Sequence, residues 1–89
     1  MHALVVRVTI NDRDKAEKFL KEQIVPGASQ APGFVAGYWV NVGGNQGASV
    51  IVFESEEDAR RAREVWGGRP PADTATIESF ELGEVVAHA

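Results

Sequence analysis

The chain has 89 residues, a length that predicts a single domain spanning residues 1–89. Its formal net charge of −4 and lack of a Lys/Arg run argue against nucleic-acid binding, and the absence of cysteine excludes disulfides and thiolate chemistry. No basic leader and no apolar stretch of about 18 residues is present, so we expect a cytoplasmic protein that does not enter a membrane.

The N-terminal part of the chain predicts a strand followed by a helix. Ala3 to Ile10 alternates so that one face is wholly apolar, while Arg7 lies on the other, half-apolar face. Asn11-Asp12 is an N-cap signal. An apolar stripe at helical spacing then runs from about Arg13 to Val25, and Pro26-Gly27 predicts the end of the helix.

The central stretch from Gln30 to Glu54 predicts a β-hairpin. Pro32-Gly33 interrupts regular structure, and Phe34 to Val42 is rich in aromatic and β-branched residues that favour a strand. Gly43 to Gly47 is a turn, and Ala48 to Phe53 is a second apolar strand. Both faces of the first hairpin strand carry apolar residues, so we expect both to be covered.

The C-terminal part repeats the helix-then-strand order. Ser55, followed by three acidic residues, predicts the start of a helix that runs to about Trp66, with Gly67-Gly68 as its C-cap. Arg69 to Thr74 contains two prolines and is an irregular connector. The last strand extends from Ala75 to Ala87 and contains a glycine, Gly83, that predicts a bulge.

The order β-α-β-β-α-β predicts a ferredoxin-like α+β fold, a four-stranded antiparallel sheet with two helices on one face. The other sheet face is also apolar, and an exposed apolar face of this kind marks an interface. We therefore expect two copies of the chain to pack sheet against sheet as a homodimer.

Three segments carry a resemblance to a known family. They are Pro32-Gly33-Phe34, the passage from Val50 to Ala59 (VIVFESEEDA), and Glu84-Val85-Val86 near the C-terminus. Together they resemble the dimeric α+β barrel superfamily and, within it, the small antibiotic-biosynthesis-monooxygenase-like proteins. The resemblance implies a homodimer. Members of the superfamily include cofactor-independent monooxygenases, haem-degrading enzymes, lactone isomerases and proteins without a known activity.

The positions of the two histidines indicate whether the chain can bind haem or a metal ion. Haem-degrading members of the superfamily use a His on or after the second helix, whereas the matching stretch here, Glu57 to Gly68, contains none. His2 and His88 lie at opposite ends of the sequence and away from any acidic cluster. We therefore expect no metal, no haem and no other cofactor.

Four residues are candidates for substrate binding. The monooxygenase members use an Asn, a Trp, a Tyr and an Arg around a pocket between sheet and helices. This chain offers Asn41, Trp39, Trp66, Tyr38 and Arg7, of which all but Trp39 are taken as candidates. Their spacing matches no motif, so the catalytic residues stay unknown. Tyr38 and Trp39 are neighbours in one strand and must point to opposite faces.

Three of these residues also have a purely structural interpretation. Trp66 is expected to anchor the second helix in the core, and Trp39 to lie in the dimer interface. For Arg7 the structural alternative is a salt bridge to an acidic residue of the last strand: Glu78, Glu81 or Glu84. If Arg7 is buried and the chain is an enzyme, it is the best candidate for anchoring an anionic substrate.

Two functions follow. The first is a non-catalytic dimeric module that binds a small molecule or only itself. The alternative is a cofactor-independent monooxygenase-like enzyme whose aromatic or polycyclic substrate lies in a cleft between helices and sheet, held by Trp66 and Tyr38. The sequence contains no Ser-His-Asp set, P-loop or dinucleotide-binding glycine motif.

Overall fold

The computed structural model describes residues 1–66 and 74–89, with only the backbone of Trp66. This part of the chain contains four strands and three α-helices, and a π-helical turn joins the first two helices. Their bounds are β1 (His2–Ile10), α1 (Arg13–Phe19), the π-turn (Leu20–Ile24), α2 (Val25–Ser29), β2 (Phe34–Gly43), β3 (Gln46–Phe53), α3 (Glu56–Trp66) and β4 (Ala75–Glu84).

The four strands form one antiparallel sheet in the order β2-β3-β1-β4. Leu4 in β1 lies opposite Ile51 in β3 and Leu82 in β4, so the wholly apolar face of β1 continues across the sheet. This is the predicted ferredoxin-like arrangement, with the α1–α2 segment and α3 as the two helices that cover one face of the sheet. We call the sheet face beneath the helices the inner face and the opposite one the outer face.

The first helical segment continues past the predicted stop at Pro26-Gly27 and ends at Ser29. The π-turn explains the difference. The N–H of Val25 donates to the carbonyl of Leu20, five residues earlier, so the backbone is wider just before the proline. Proline lacks an N–H and crowds the carbonyl four residues earlier in a regular helix, and the wider turn tolerates both defects.

The predicted start signals of the helices are confirmed. The Asp12 side chain accepts a hydrogen bond from the N–H of Lys15 at 3.1 Å, which caps α1. The hydroxyl of Ser55 accepts from the N–H of Asp58 at 3.1 Å and caps α3. The predicted C-cap at Gly67-Gly68 and residues 69–73 of the predicted connector lie outside the described residues.

Two irregularities in strand pairing occur where the sequence pattern did not predict them. Gly83 pairs regularly with Ala3, and the irregularity between β1 and β4 lies instead at Arg7 and Val8. A second shift, between Phe34 and Ala36, turns Phe34 to the inner face although alternation predicted it on the side of Tyr38. β4 also ends at Glu84 rather than Ala87.

The core lies between the inner face and the helices. Leu4 and Phe53 are fully buried, together with the small residues Ala28 and Ala59 that let the helices approach. The Phe34 ring meets Phe53 edge to face, with centroids 6.3 Å apart and an interplanar angle of 80°. No helix among the described residues is both long and apolar enough to cross a bilayer.

The outer face is apolar and uncovered in the single chain. Tyr38 is 64% exposed, and Val50, directly opposite it on β3, is 40% exposed. Val5 and Val40 extend the exposed surface across β1 and β2. We expected both faces of β2 to be covered. Within one chain, only the inner face is.

Candidate functional site

A cavity of about 270 Å³ lies between the α1–π-turn segment and the inner face of the sheet. Its walls are mainly apolar, and the side chains come from strands and helix alike: Val6, Val8, Leu20, Ile24, Trp39 and Phe80. The sheet supplies one wall because its inner-face residues recur at every second position, and the helical segment supplies the other through its apolar stripe.

Trp39 lies in the cavity wall because Gly37 makes room for it. Both residues are on the inner face of β2, two positions apart. A Cβ built on Gly37 would lie 2.6 Å from Cη2 of the Trp39 ring, so the indole occupies the space of the missing side chain. The expectation that Trp39 lies in a dimer interface is therefore wrong: its ring faces the helices, not the outer face.

The cavity has a polar end where β1 leads into α1. Arg13 and Glu17 line it from the helix, and Asn41 lines it from β2. Nε of Arg13 donates to Oε1 of Glu17 at 3.5 Å, a long bond between two largely exposed side chains. Oδ1 of Asn41 accepts from the N–H of Gly43 at 2.9 Å. The cavity thus joins an apolar body to a rim with charged and hydrogen-bonding groups.

The four candidates from the sequence do not meet at this cavity. Asn41 lines it, as the pocket hypothesis requires. Tyr38 lies on the outer face instead, because its register partner is Val50 rather than an inner-face residue. The side chain of Trp66 lies outside the described residues, so its role stays a prediction.

Arg7 also lies on the outer face, opposite Ala48 and Ser79. It is exposed rather than buried among apolar residues. Within residues 1–66 and 74–89 the structure shows no ion pair for it, so the predicted bridge to an acidic residue of the last strand is not formed there. Water already solvates this guanidinium, and no partner is needed to offset burial.

Sequence reasoning favoured the dimer interface over the cavity for Trp39, and it missed Arg13 as a cavity residue. The alternation of β2 placed Trp39 and Asn41 on one face but could not say which face the helices cover. The wholly apolar face of β1 is the available signal, since it must lie under the helices and the pairing with β3 then fixes the side on which Trp39 lies. Nothing in the sequence marks Arg13 as a cavity residue except its position at the start of a predicted helix.

His2 lies beside the first turn of α3. It is half-buried at the start of β1, with Nε2 4.0 Å from Oε2 of Glu56. Its Nδ1 is buried without a hydrogen-bond partner among the described residues. No group of three or more His, Cys, Asp or Glu suited to a metal ion occurs in the described part of the chain.

No family model matches the sequence, and no curated protein matches it either. Solved structures do share its fold. A dimeric ferredoxin-like protein from an uncultured marine organism is 16% identical with a TM-score of 0.65, covering 100% of this chain and 98% of that one.

Two structures of MhuD show the same likeness. A mutant with two manganese protoporphyrin IX molecules per active site has a TM-score of 0.61 at 19% identity, covering 100% of this chain and 98% of that chain. The Mycobacterium tuberculosis heme-degrader MhuD with two hemes in its active site has a TM-score of 0.54 at 21% identity, covering 97% and 98%. This chain therefore has the ferredoxin-like α+β fold of these proteins, which confirms the predicted resemblance at the level of the fold.

Proposed function

We propose that the protein binds a small, largely apolar molecule in the cavity between its helices and sheet, and that it does so as a homodimer. The observation that supports ligand binding is the cavity itself, about 270 Å³ in volume and lined mainly by aliphatic and aromatic side chains. Ligand sites are concave and mostly apolar, with a few polar groups that orient the ligand, and this cavity has that composition.

The cavity volume limits the size of the ligand. Sites for drug-sized molecules measure roughly 300–1,000 Å³, so a cavity just below that range suits a molecule of two or three aromatic rings. A porphyrin is larger, and its binding would require the walls to move apart. The indole of Trp39 and the ring of Phe80 offer surfaces on which a flat ligand can pack.

A titration with the neutral fluorescent probe N-phenyl-1-naphthylamine tests the proposal. We expect one probe per chain with a dissociation constant on the order of 10 µM, from a ligand efficiency of about 0.4 kcal/mol per non-hydrogen atom. Energy transfer from tryptophan should accompany binding. Saturation at one probe per chain supports the site, whereas no saturable binding refutes it.

A matched pair of variants locates the probe. Ala16 lines the cavity, and Ala16→Leu should fill part of it and abolish saturable binding. Lys18 is exposed on the same helix, so Lys18→Leu adds the same side chain outside the cavity and should leave the affinity unchanged. Far-ultraviolet circular dichroism checks that both variants stay folded. Equal affinities for the two variants would contradict binding in the cavity.

The homodimer part of the proposal is supported by the outer face. Tyr38 and Val50 form an exposed cross-strand pair, with Val5 and Val40 beside them. A contiguous apolar patch of this kind is typical of a protein interface. A second copy packed on this face would have to bury more than about 1,000 Å² in total to form a stable dimer.

Monooxygenase-like oxidation of an aromatic substrate is the second candidate function. The observation in its favour is that Trp39 and Asn41 lie in the same cavity wall, two residues apart on β2. In such a reaction O₂ converts a ring CH₂ of a polycyclic phenol to a carbonyl, and the second oxygen atom leaves as water. Oxygen uptake with an anthrone-type substrate, lost in Asn41→Ala, tests this candidate.

A further inference from the structure

We infer that Arg13 and Asn41 make the cavity selective for apolar molecules with an anionic, hydrogen-bond-accepting head group. This inference rests on the proposed function and names the ligand class of the same site. The ligand would be an aromatic carboxylate or sulfonate, with its rings between sheet and helix and its head at the polar rim.

Asn41 lines the cavity and keeps a donor group available for a ligand. A side-chain amide has one carbonyl acceptor and one NH₂ donor group. The acceptor Oδ1 is already bonded to the N–H of Gly43 at 2.9 Å, which fixes the orientation of the amide. The Nδ2 group is therefore the side that remains for a ligand, and its complement is a ligand oxygen that accepts a hydrogen bond.

Arg13 presents the cationic group at the same rim. Its guanidinium has five N–H donors, and Nε donates to Oε1 of Glu17 at 3.5 Å. The Nη atoms have no bonding partner among the described residues. The two Nη groups of Arg13 are therefore available to form the paired hydrogen bonds that carboxylate and sulfonate groups accept.

Glu17 makes a cationic head group the weaker choice. Among the described lining residues its carboxylate is the acidic side chain, but it already interacts with Arg13, and Asn41 has its acceptor bonded to Gly43. An anion approaching Arg13 needs only to displace a long, exposed pair that contributes little stability. The rim is largely exposed, so the charged head keeps part of its hydration while the rings enter the cavity.

Two probes with the same ring system test the inference. N-phenyl-1-naphthylamine is neutral, and 8-anilinonaphthalene-1-sulfonate adds one sulfonate to the same skeleton. The measured quantity is the ratio of their dissociation constants in each variant. We expect Arg13→Met to weaken sulfonate binding about five- to tenfold and to change neutral-probe binding less than about twofold, since only the charge-assisted hydrogen bonds are lost.

The control is Arg60→Met in α3. Arg60 also forms an i,i+4 pair, in which the glutamate comes first, with Nη2 3.3 Å from Oε1 of Glu56. Its side chain is 59% exposed compared with 66% for Arg13. It is not part of the cavity wall as described. This variant removes the same charge from the protein, so an unchanged ratio shows that the effect of Arg13 is local.

Two further variants sharpen the test. Glu17→Gln removes the competing carboxylate and should strengthen sulfonate binding. Asn41→Asp keeps an acceptor for the N–H of Gly43 but replaces the NH₂ donor with an anionic oxygen. This variant should weaken sulfonate binding. An unchanged ratio in Arg13→Met overturns the inference while leaving the cavity site intact. Failure of the neutral probe to bind wild-type protein overturns the proposed function instead.

Discussion

Gly33 lies directly against the carboxylate of Asp58, so that the start of β2 packs on the first turn of α3. Its φ is +76°, and a Cβ built there would lie 2.5 Å from Cγ of Asp58. The carboxylate also accepts a hydrogen bond from the hydroxyl of Ser55 at 3.0 Å. The carbonyl of Gly33 in turn accepts from the N–H of Glu54 at 2.8 Å. The start of β2 and the first turn of α3 therefore pack so closely that only glycine fits at position 33.

We predict that Gly33→Ala destabilises the protein by about 2–4 kcal/mol. The left-handed backbone costs an alanine about 1–2 kcal/mol, and displacing Asp58 weakens the cap of α3 by about 1 kcal/mol more. Urea unfolding followed by circular dichroism measures the change in the free energy of unfolding.

Gly27→Ala is the matched control for this prediction. Gly27 lies inside α2, and a Cβ built there would meet no described atom within 4 Å beyond its chain neighbours and its own helix backbone. The same substitution should therefore stabilise the protein by about 0.5–1 kcal/mol, since alanine is the better helix former. Equal effects of the two substitutions would contradict the described junction.

The second prediction concerns the wall of the cavity. Gly37→Ala places a Cβ where the Trp39 ring lies, so the indole must rotate or the strand must move. We expect a cost of about 1–3 kcal/mol, as for other over-packed positions. The tryptophan emission should also shift, and neutral-probe binding should weaken. A variant with wild-type stability and emission would show that the indole does not occupy this space.

The fold could be predicted from the sequence because each element carries its own signal. The alternation of β1 and the cap at Asp12 depend on neighbouring residues only, and both agree with the structure. The predicted end of the first helix at Pro26 was wrong because the π-turn that accommodates this proline has no recognised sequence pattern. Phe34 misled it because a single bulge reverses the face of a residue.

The candidate site was harder to predict because it depends on contacts between distant elements. Tyr38 and Trp39 were known to point in opposite directions, but only the pairing of β2 with β3 shows which one faces the helices. Arg7 was assigned a partner on the assumption that it is buried, and the structure exposes it. Residue type alone identified Asn41, whereas its donor orientation depends on the turn at Gly43.

The third prediction concerns assembly. Val50→Glu places a carboxylate in the middle of the outer face, where a sheet-to-sheet dimer would bury it, and should convert a dimer to a monomer at micromolar concentration. Light scattering measures the mass. Val65→Glu makes the same change at an exposed position on α3 and should leave the dimer intact. A monomeric wild-type protein would contradict the proposed assembly.

The fourth prediction is that haem binds weakly and without a defined iron ligand. Residues 55–71 contain no His, Cys, Met or Tyr, the side chains that hold haem iron in proteins. His2 is half-buried beside Glu56, and His88 is exposed after β4. Titration should give no sharp Soret band at one haem per chain. Such a band, lost in His2→Ala or His88→Ala, would contradict the prediction.

The most direct test of ligand binding in the cavity is a nuclear magnetic resonance titration of labelled protein with N-phenyl-1-naphthylamine. We expect saturable shifts at residues of the cavity wall, namely Val6, Phe80 and the indole N–H of Trp39, the last assigned with Trp39→Phe. Tyr38 and Val50 on the outer face should not shift. Shifts confined to the outer face, with the Trp39 resonance unchanged, would contradict binding in the cavity.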